Sequence, residues 1–192
     1  MDSIDKIHAA FDAHMQTMQA SRELLSSDIE RFAELIVKTI IGGHKVLVMG
    51  NGGSAADAQH FAAELVGRFL RERRALPAIA LTTDTSILTA IGNDYGFDRV
   101  FCRQVEALAV SGDLVIGIST SGNSSNVKLA LELAVTKGCR TAGLLGRDGG
   151  TIRNFVDLAL VVPSQMTPHI QEAHAFVIHV VCDLVEQAFS TP

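Results

Sequence analysis

Cysteine is scarce in this chain. Its 192 residues hold three, Cys102, Cys139 and Cys182, far apart and with no Cys-x-x-Cys pair. That excludes a disulfide framework and a zinc knot of thiolates, and it predicts reduced, buried thiols. Long hydrophobic runs are missing too: none approaches the ~18 residues of a membrane span. The opening MDSIDKIHAAFDAH has neither a basic patch nor an apolar stretch behind it. No secretory signal is therefore expected, and the reading is a soluble, cytoplasmic protein with no membrane partner. Positive charge is not in excess. The net charge of −5 leaves no global basic footprint for nucleic acid. The local run Arg71, Arg73, Arg74 is broken by Glu72 and reads as solvated surface.

What is present suits a globular enzyme. The hydrophobic fraction is 47%, inside the ordinary range of about 45–50%. The length fits one domain of roughly 100–200 residues, so residues 1–192 are read as a single unit. Residues 1–43 form N-terminal helices, and 45–189 form an α/β core with a final helix. Before Gly42 there is no glycine or proline. Ile4, Ile7, Phe11, Met15 and Met18 recur at helical spacing. Ser26-Ser27-Asp28 is expected to end that helix and cap a second one, which carries Ile29, Phe32, Leu35, Ile36, Thr39 and Ile40 and stops at Gly42-Gly43. The first helix is expected to pack on another subunit.

Five short apolar runs follow: Lys45–Met49, Ala78–Leu81, Asp113–Ile118, Arg140–Leu145 and Leu158–Val162. Between them lie helical segments at Ser54–Phe69, Asp84–Ile91, Asp98–Ala109 and Ser124–Lys137, with a short one near Thr151–Phe155. A last helix spans about Pro168–Phe189. Continuous apolar runs bounded by glycine read as buried parallel strands. Alternation of strands with helices predicts an α/β fold, a doubly wound five-stranded parallel sheet flanked by helices.

Two loops point to an anion. Gly50-Asn51-Gly52-Gly53-Ser54 ends the first strand and opens a helix, the arrangement that binds phosphate through backbone N–H groups. The loop also satisfies Gly-x-Gly-x-x-Ala. However, the acid that a dinucleotide fingerprint needs is out of place: Glu72 lies in a charged loop and Asp84 too far along. Gly117-Ile118-Ser119-Thr120-Ser121-Gly122-Asn123-Ser124 ends the third strand with four hydroxyls. It reads as a second phosphate loop, with a plain serine helix cap as the competing reading.

Proton chemistry is available nearby. On the helix after Ser54 a polar stripe runs Asp57, His60, Glu64, Arg68. His60 and Glu64, one turn apart, face the same way, a possible catalytic or metal pair. The last helix reads AFVIHVVC around His179, apolar almost all round, which predicts a buried His179 in need of a partner. Gln171 lies on a similar side of that helix, whereas His169 and His174 read as surface or interface. Asn93-Asp94 reads as a polar turn after a helix.

The segments GNGGSAADAQHFAAEL, LTTDTSILTAIGNDYGF, GDLVIGISTSGNSSNV and VPSQMTPHIQEAHAFVIHVVCDLVE resemble the phosphoheptose isomerase family of the sugar-isomerase (SIS) superfamily. The resemblance covers roughly residues 45–189. It implies conversion of sedoheptulose 7-phosphate to D-glycero-D-manno-heptose 7-phosphate, the opening step toward the heptose of lipopolysaccharide core. By resemblance, Ser54, Ser119, Thr120, Ser121 and Ser124 hold the phosphate, and Asn51, Gly52, Gly53, Asn93 and Asp94 shape the sugar site. Glu64 and His179 move protons, and Glu64 and Gln171 also meet substrate. Zinc would sit on His60, Glu64, Gln171 and His179, in a homotetramer. His169 departs from the family, which commonly has arginine there. The alternative reading is a non-catalytic SIS protein that binds a sugar phosphate or associates with a replication initiator. The retention of His60, Glu64 and His179 favours the enzyme.

Overall fold

The computed structural model describes residues 2–190; residue 1 and residues 191–192, the ends of the expected single domain, lie outside the described residues. The chain opens with one helix, α1 (Ser3–Ile41), and not with two. The expected break at Ser26-Ser27-Asp28 does not occur. Ser26 Oγ donates to the Arg22 carbonyl one turn back, and Asp28 accepts from Arg31 one turn on. Thr17 and Ser21 bond back to the helix in the same way. Hydroxyls able to cap a new helix are thus satisfied inside the old one. With neither glycine nor proline to stop it, the helix continues. Its true cap is Asp2, which exchanges bonds with Asp5 in a capping box.

The remaining elements follow the expected alternation. They are β1 (Val46–Gly50), α2 (Gly53–Val66), β2 (Ala78–Ala80), α3 (Thr85–Tyr95), α4 (Cys102–Leu108), β3 (Leu114–Ser119), α5 (Ser125–Thr136), β4 (Arg140–Gly146), β5 (Leu158–Val162) and α6 (Thr167–Phe189). The segment expected as one helix over Asp98–Ala109 divides into a 3-10 turn, Phe97–Arg99, and α4. All five strands are parallel, in the order β2-β1-β3-β4-β5. The order reverses between β1 and β3, which opens a crevice outside their carboxyl ends. Both glycine- and serine-rich loops emerge there.

β1 is buried along its whole length, and its side chains alternate between two cores, as a strand covered on both faces requires. Val46 and Val48 join one core with α1, α2 and α6, including Phe32, Ile36, Phe61 and Ile178. Leu47 and Met49 join the other, with Val105 of α4 and Val127, Ala130 and Leu131 of α5. The three cysteines are free and buried, as expected. Only the second half of α1 enters the core. Ile4, Ile7, Phe11 and Met15 remain exposed on the first half. Among the described residues no helix is long and apolar enough to cross a membrane.

In the charged run after α2, Arg71, Glu72 and Arg74 are exposed as expected, but Arg73 is not. Arg73 folds inward: its guanidinium donates to the carbonyls of Glu64 and Gly67 and lies 3.5 Å from Glu186 of α6. Both side chains are buried. Glu186 also accepts from the backbone N–H groups of Phe69, Leu70 and Arg71. Burial pushes its carboxyl up, but these three donors and the Arg73 charge outweigh it and hold the carboxyl below the usual glutamate range. Residues 69–73 are therefore pinned to α6, and the cause is a carboxylate more than a hundred residues away.

Candidate active site

The first loop turns at Gly52, whose φ of +56° suits glycine alone. Gly52 sits at the N-cap of α2 with no side-chain cap bond. Ser54, in the first turn, is buried. The second loop leaves β3 at Ser119, also buried. Ser119 Oγ lies 2.9 Å from Ser124 Oγ and 3.5 Å from Ser121 Oγ, and Ser121 Oγ accepts from the Asn123 N–H. Ser124 occupies the N-cap position of α5 yet makes no side-chain cap bond. A hydroxyl that only capped the helix would bond its first turn. Here three hydroxyls converge on one another instead, the arrangement of an anion cup. Thr120 stands half-buried beside them.

A pair of asparagines clasps the two loops. Asn51 Nδ2 donates to Asn126 Oδ1 at 2.8 Å, and Asn126 Nδ2 donates back to Asn51 Oδ1 at 2.9 Å. Asn126 is 2% exposed. The sequence reading missed it. The one available signal was an amide two residues after the last serine of the loop, in the first turn of a helix where its side chain faces the switch point.

The titratable groups lie along α2 and α6, which pack side by side. At one end Gly53 meets the amide of Gln171, so closely that a Cβ on Gly53 would collide with it. Farther along both helices, His60 Nε2 lies 2.8 Å from His179 Nε2. Glu64 Oε1 is 3.6 Å from His60 Nε2, and the Phe69 ring stacks on His179 with centroids 5.6 Å apart. From Gly53 to His60 is about 10 Å along the helix. A small phosphorylated sugar spans that distance. Asp57 lies between the two ends, half-buried, with Oδ2 buried and without a partner among the described residues. Burial raises its carboxyl pKa, against the pull of His60.

Three expectations are corrected. His179 is exposed on the single chain, while His174 is fully buried and bonds the Leu145 carbonyl at 2.9 Å. Burial pushes His174 down to about 4, against that hydrogen bond. The reason is angular: His174 shares a face with Ile170, Ala173, Val177 and Ile178, which meets the sheet. His179 falls on the other side with the exposed Phe176. Asn93 and Asp94 are not in a turn but in the last turn of α3. They bond each other at 2.8 Å and, among the described residues, neither loop. His169, read as surface or interface, is half-buried where α1 meets α6 and shares Glu172 with His14. The bonds from His169 and then His14 hold the Glu172 carboxyl below its usual range.

His60, Glu64 and His179 form a donor set suited to zinc, two imidazoles and a carboxylate. Ligands of one tetrahedral zinc stand about 3.3–3.6 Å apart given the usual bond lengths. The 3.6 Å between His60 and Glu64 matches that spacing, and the 2.8 Å between the two imidazoles must open slightly. Gln171 offers an amide oxygen from two turns up α6, where its amide packs on Gly53.

Comparison with known proteins identifies the family. Residues 11–146 match the model of the SIS domain family. A phosphoheptose isomerase from Geobacter sulfurreducens is 67% identical over 184 residues, covering 96% of this chain and 97% of that protein. The structure of a phosphoheptose isomerase from Neisseria gonorrhoeae superposes with a TM-score of 0.92 at 45% identity, and one from Francisella tularensis with 0.95 at 40%; each covers 97% of this chain and 100% of its own. With sheet order, switch-point loops and near-full-length identity all in accord, this chain belongs to the phosphoheptose isomerase family of SIS-domain proteins.

Proposed function

We propose that the chain interconverts sedoheptulose 7-phosphate and D-glycero-D-manno-heptose 7-phosphate, a ketose–aldose isomerisation. One observation carries the reading. The start of α2, which Asn51 clasps to the hydroxyl-lined loop after β3, stands about 10 Å along the helix from a His/Glu/His cluster that α2 and α6 bring together, a sugar's length. The hydroxyls of Ser54, Ser119, Thr120, Ser121 and Ser124 hold the phosphate. Asn51, Gly52 and Gly53 shape the floor beneath the sugar, and Gln171 closes it from α6. The carbon chain then runs along α2 and brings C1 and C2 to Glu64 and His179.

Glu64 takes the proton from C1 and an enediol forms. The proton returns to C2, while O2 gains a proton and O1 loses one. His179 is placed to serve the oxygens, and His60 fixes its ring through the 2.8 Å contact. Phe69 keeps the other face of His179 from water by stacking. Zinc on His60, Glu64 and His179 would supply a Lewis acid for the carbonyl oxygen, and Gln171 would join them only by leaving its contact with Gly53. Asn93 and Asp94 stand exposed on α3, where a sugar hydroxyl or a neighbouring subunit could meet them.

The same reading places the protein in the cytoplasm, as a homotetramer feeding lipopolysaccharide core heptose. The exposed apolar residues of the first half of α1 support assembly. The gathering of His60, Glu64 and His179 disfavours a non-catalytic sugar-phosphate binder. The test is proton exchange. With sedoheptulose 7-phosphate in D₂O, deuterium is expected to enter the sugar as the aldose appears by NMR. Binding of the sugar phosphate without exchange, with zinc and without, would sink the proposal.

A further inference from the structure

A second cluster of metal-ligating side chains lies outside the catalytic groups, where α1 meets the start of α6. His14 Nδ1 lies 2.8 Å from Glu172 Oε2, and His169 Nδ1 lies 2.9 Å from the same oxygen. One ligand atom from each of the three lies within 4.8 Å of the others. The geometry points to a divalent transition-metal site on His14, His169 and Glu172, of the class that imidazole and carboxylate select, with zinc as its representative.

Several features favour a metal over a chance cluster. The donors come from two packed helices, and His169 and Glu172 stand at i and i+3, the spacing by which helical bundles present an imidazole and a carboxylate to one ion. Both imidazoles offer Nδ1 to one point. An ion there needs its ligand atoms about 3.3–3.6 Å apart, so the side chains must open by roughly half an ångström. They are free to do so: side-chain exposure is 40% for His14 and 45% for Glu172. On the single chain that exposure also leaves a position for water. His169 is less exposed, at 15%, and anchors the set.

The site has a structural consequence. α6 begins without a side-chain cap. Glu172 follows Gln171, whose amide packs on Gly53 at the first phosphate loop. A metal on His14, His169 and Glu172 would fasten this uncapped start of α6 to α1 and hold Gln171 in place. It would be separate from any metal on His60, Glu64 and His179, since the two groups share no ligand.

The experiment counts metal on the full-length protein. Metal-free protein is titrated with zinc against a chromophoric chelator, for the unmodified chain and for His14→Ala, His169→Ala and His60→Ala. Circular dichroism checks that each variant folds. His14→Ala and His169→Ala are each expected to lose one equivalent per chain. The same equivalent should survive in His60→Ala and disappear in His60→Ala combined with His14→Ala. In parallel, the His14 ring signals of the unmodified chain should shift on zinc addition. If His14→Ala and His169→Ala bind as many equivalents as the unmodified chain, or the His14 ring signals do not respond, the cluster is a hydrogen-bonded triad and the proposal fails.

Discussion

His60 and His179 face each other ring nitrogen to ring nitrogen at 2.8 Å, at the far end of a helix pair whose near end is the contact of Gly53 with Gln171. The intervals are nearly equal, seven residues on α2 and eight on α6, so the two helices run in the same direction as parallel rails. On the proposed reading, phosphate is held at one end, protons move at the other, and the helix rise sets the length of substrate that fits.

Glu64→Gln and His179→Gln are each expected to lower kcat by about 10²–10⁴, the usual worth of a positioned acid or base. Both side chains lie outside the core, so the melting temperature should hold within a few degrees. Steady-state kinetics beside thermal melts decide the matter. Turnover close to that of the unmodified chain in either variant would remove that residue from the mechanism.

Ser124→Ala separates anion cup from helix cap. A serine that caps a helix is worth about 1 kcal/mol. Ser124 makes no cap bond and points at Ser119. Stability should therefore barely change while KM for the phosphorylated substrate rises. A drop in stability with KM unchanged would restore the cap reading.

His174 makes stability depend on pH in a defined window. Its pKa falls from the ordinary 6.5 to about 4 because it is buried. Between those values the unfolded chain binds the proton and the folded one does not. Stability is therefore full above 6.5 and declines as the pH falls toward 4, by about 3 kcal/mol in all. Denaturant titrations at pH 7 and pH 4.5 read this directly. His174→Gln should flatten the dependence, and an unchanged slope in that variant would assign the loss to other groups.

Glu186 acts on the acid side of the same curve. Its folded pKa lies below the ordinary 4.5, so its contribution is present above that value and is lost as the pH falls through the folded one. Glu186→Gln leaves Arg73 buried beside a neutral amide. The cost of breaking such a pair is about 3–5 kcal/mol, seen as a lower denaturation midpoint at pH 7. A midpoint within experimental error of the unmodified chain would show that residues 69–73 hold without it.

The sheet and both loops could be read from the chain because their signals are local. An apolar run ending in glycine, as at Val46–Gly50, specifies a buried strand and its turn without help from elsewhere. Where packing decides, local signals fail. α6 is apolar around His174 and His179 alike, so only the sheet beneath it sets which one is buried. Arg73 looked solvated because the carboxylate that draws it in lies on the last helix. Serines at 26 and 27 resemble a cap, yet a serine bonds back into a continuing helix equally well. Asn93-Asp94 read as a polar turn, but α3 runs on through Gly92 and both residues and stops only at Gly96. Asn126 escaped notice because its role exists only across the sheet, against Asn51.

The Asn51–Asn126 clasp has a consequence for binding. Two amides exchanging both bonds across β1 and β3 leave the loops little independent motion. The entropy of bringing two anion-binding loops into register is lost while the chain folds, before any ligand arrives. On the proposed reading, phosphate then meets a preorganised receptor, and the affinity it gains can be used for strain and alignment at the far end of the sugar. Loosening the clasp would weaken binding of inorganic phosphate as much as that of the whole substrate.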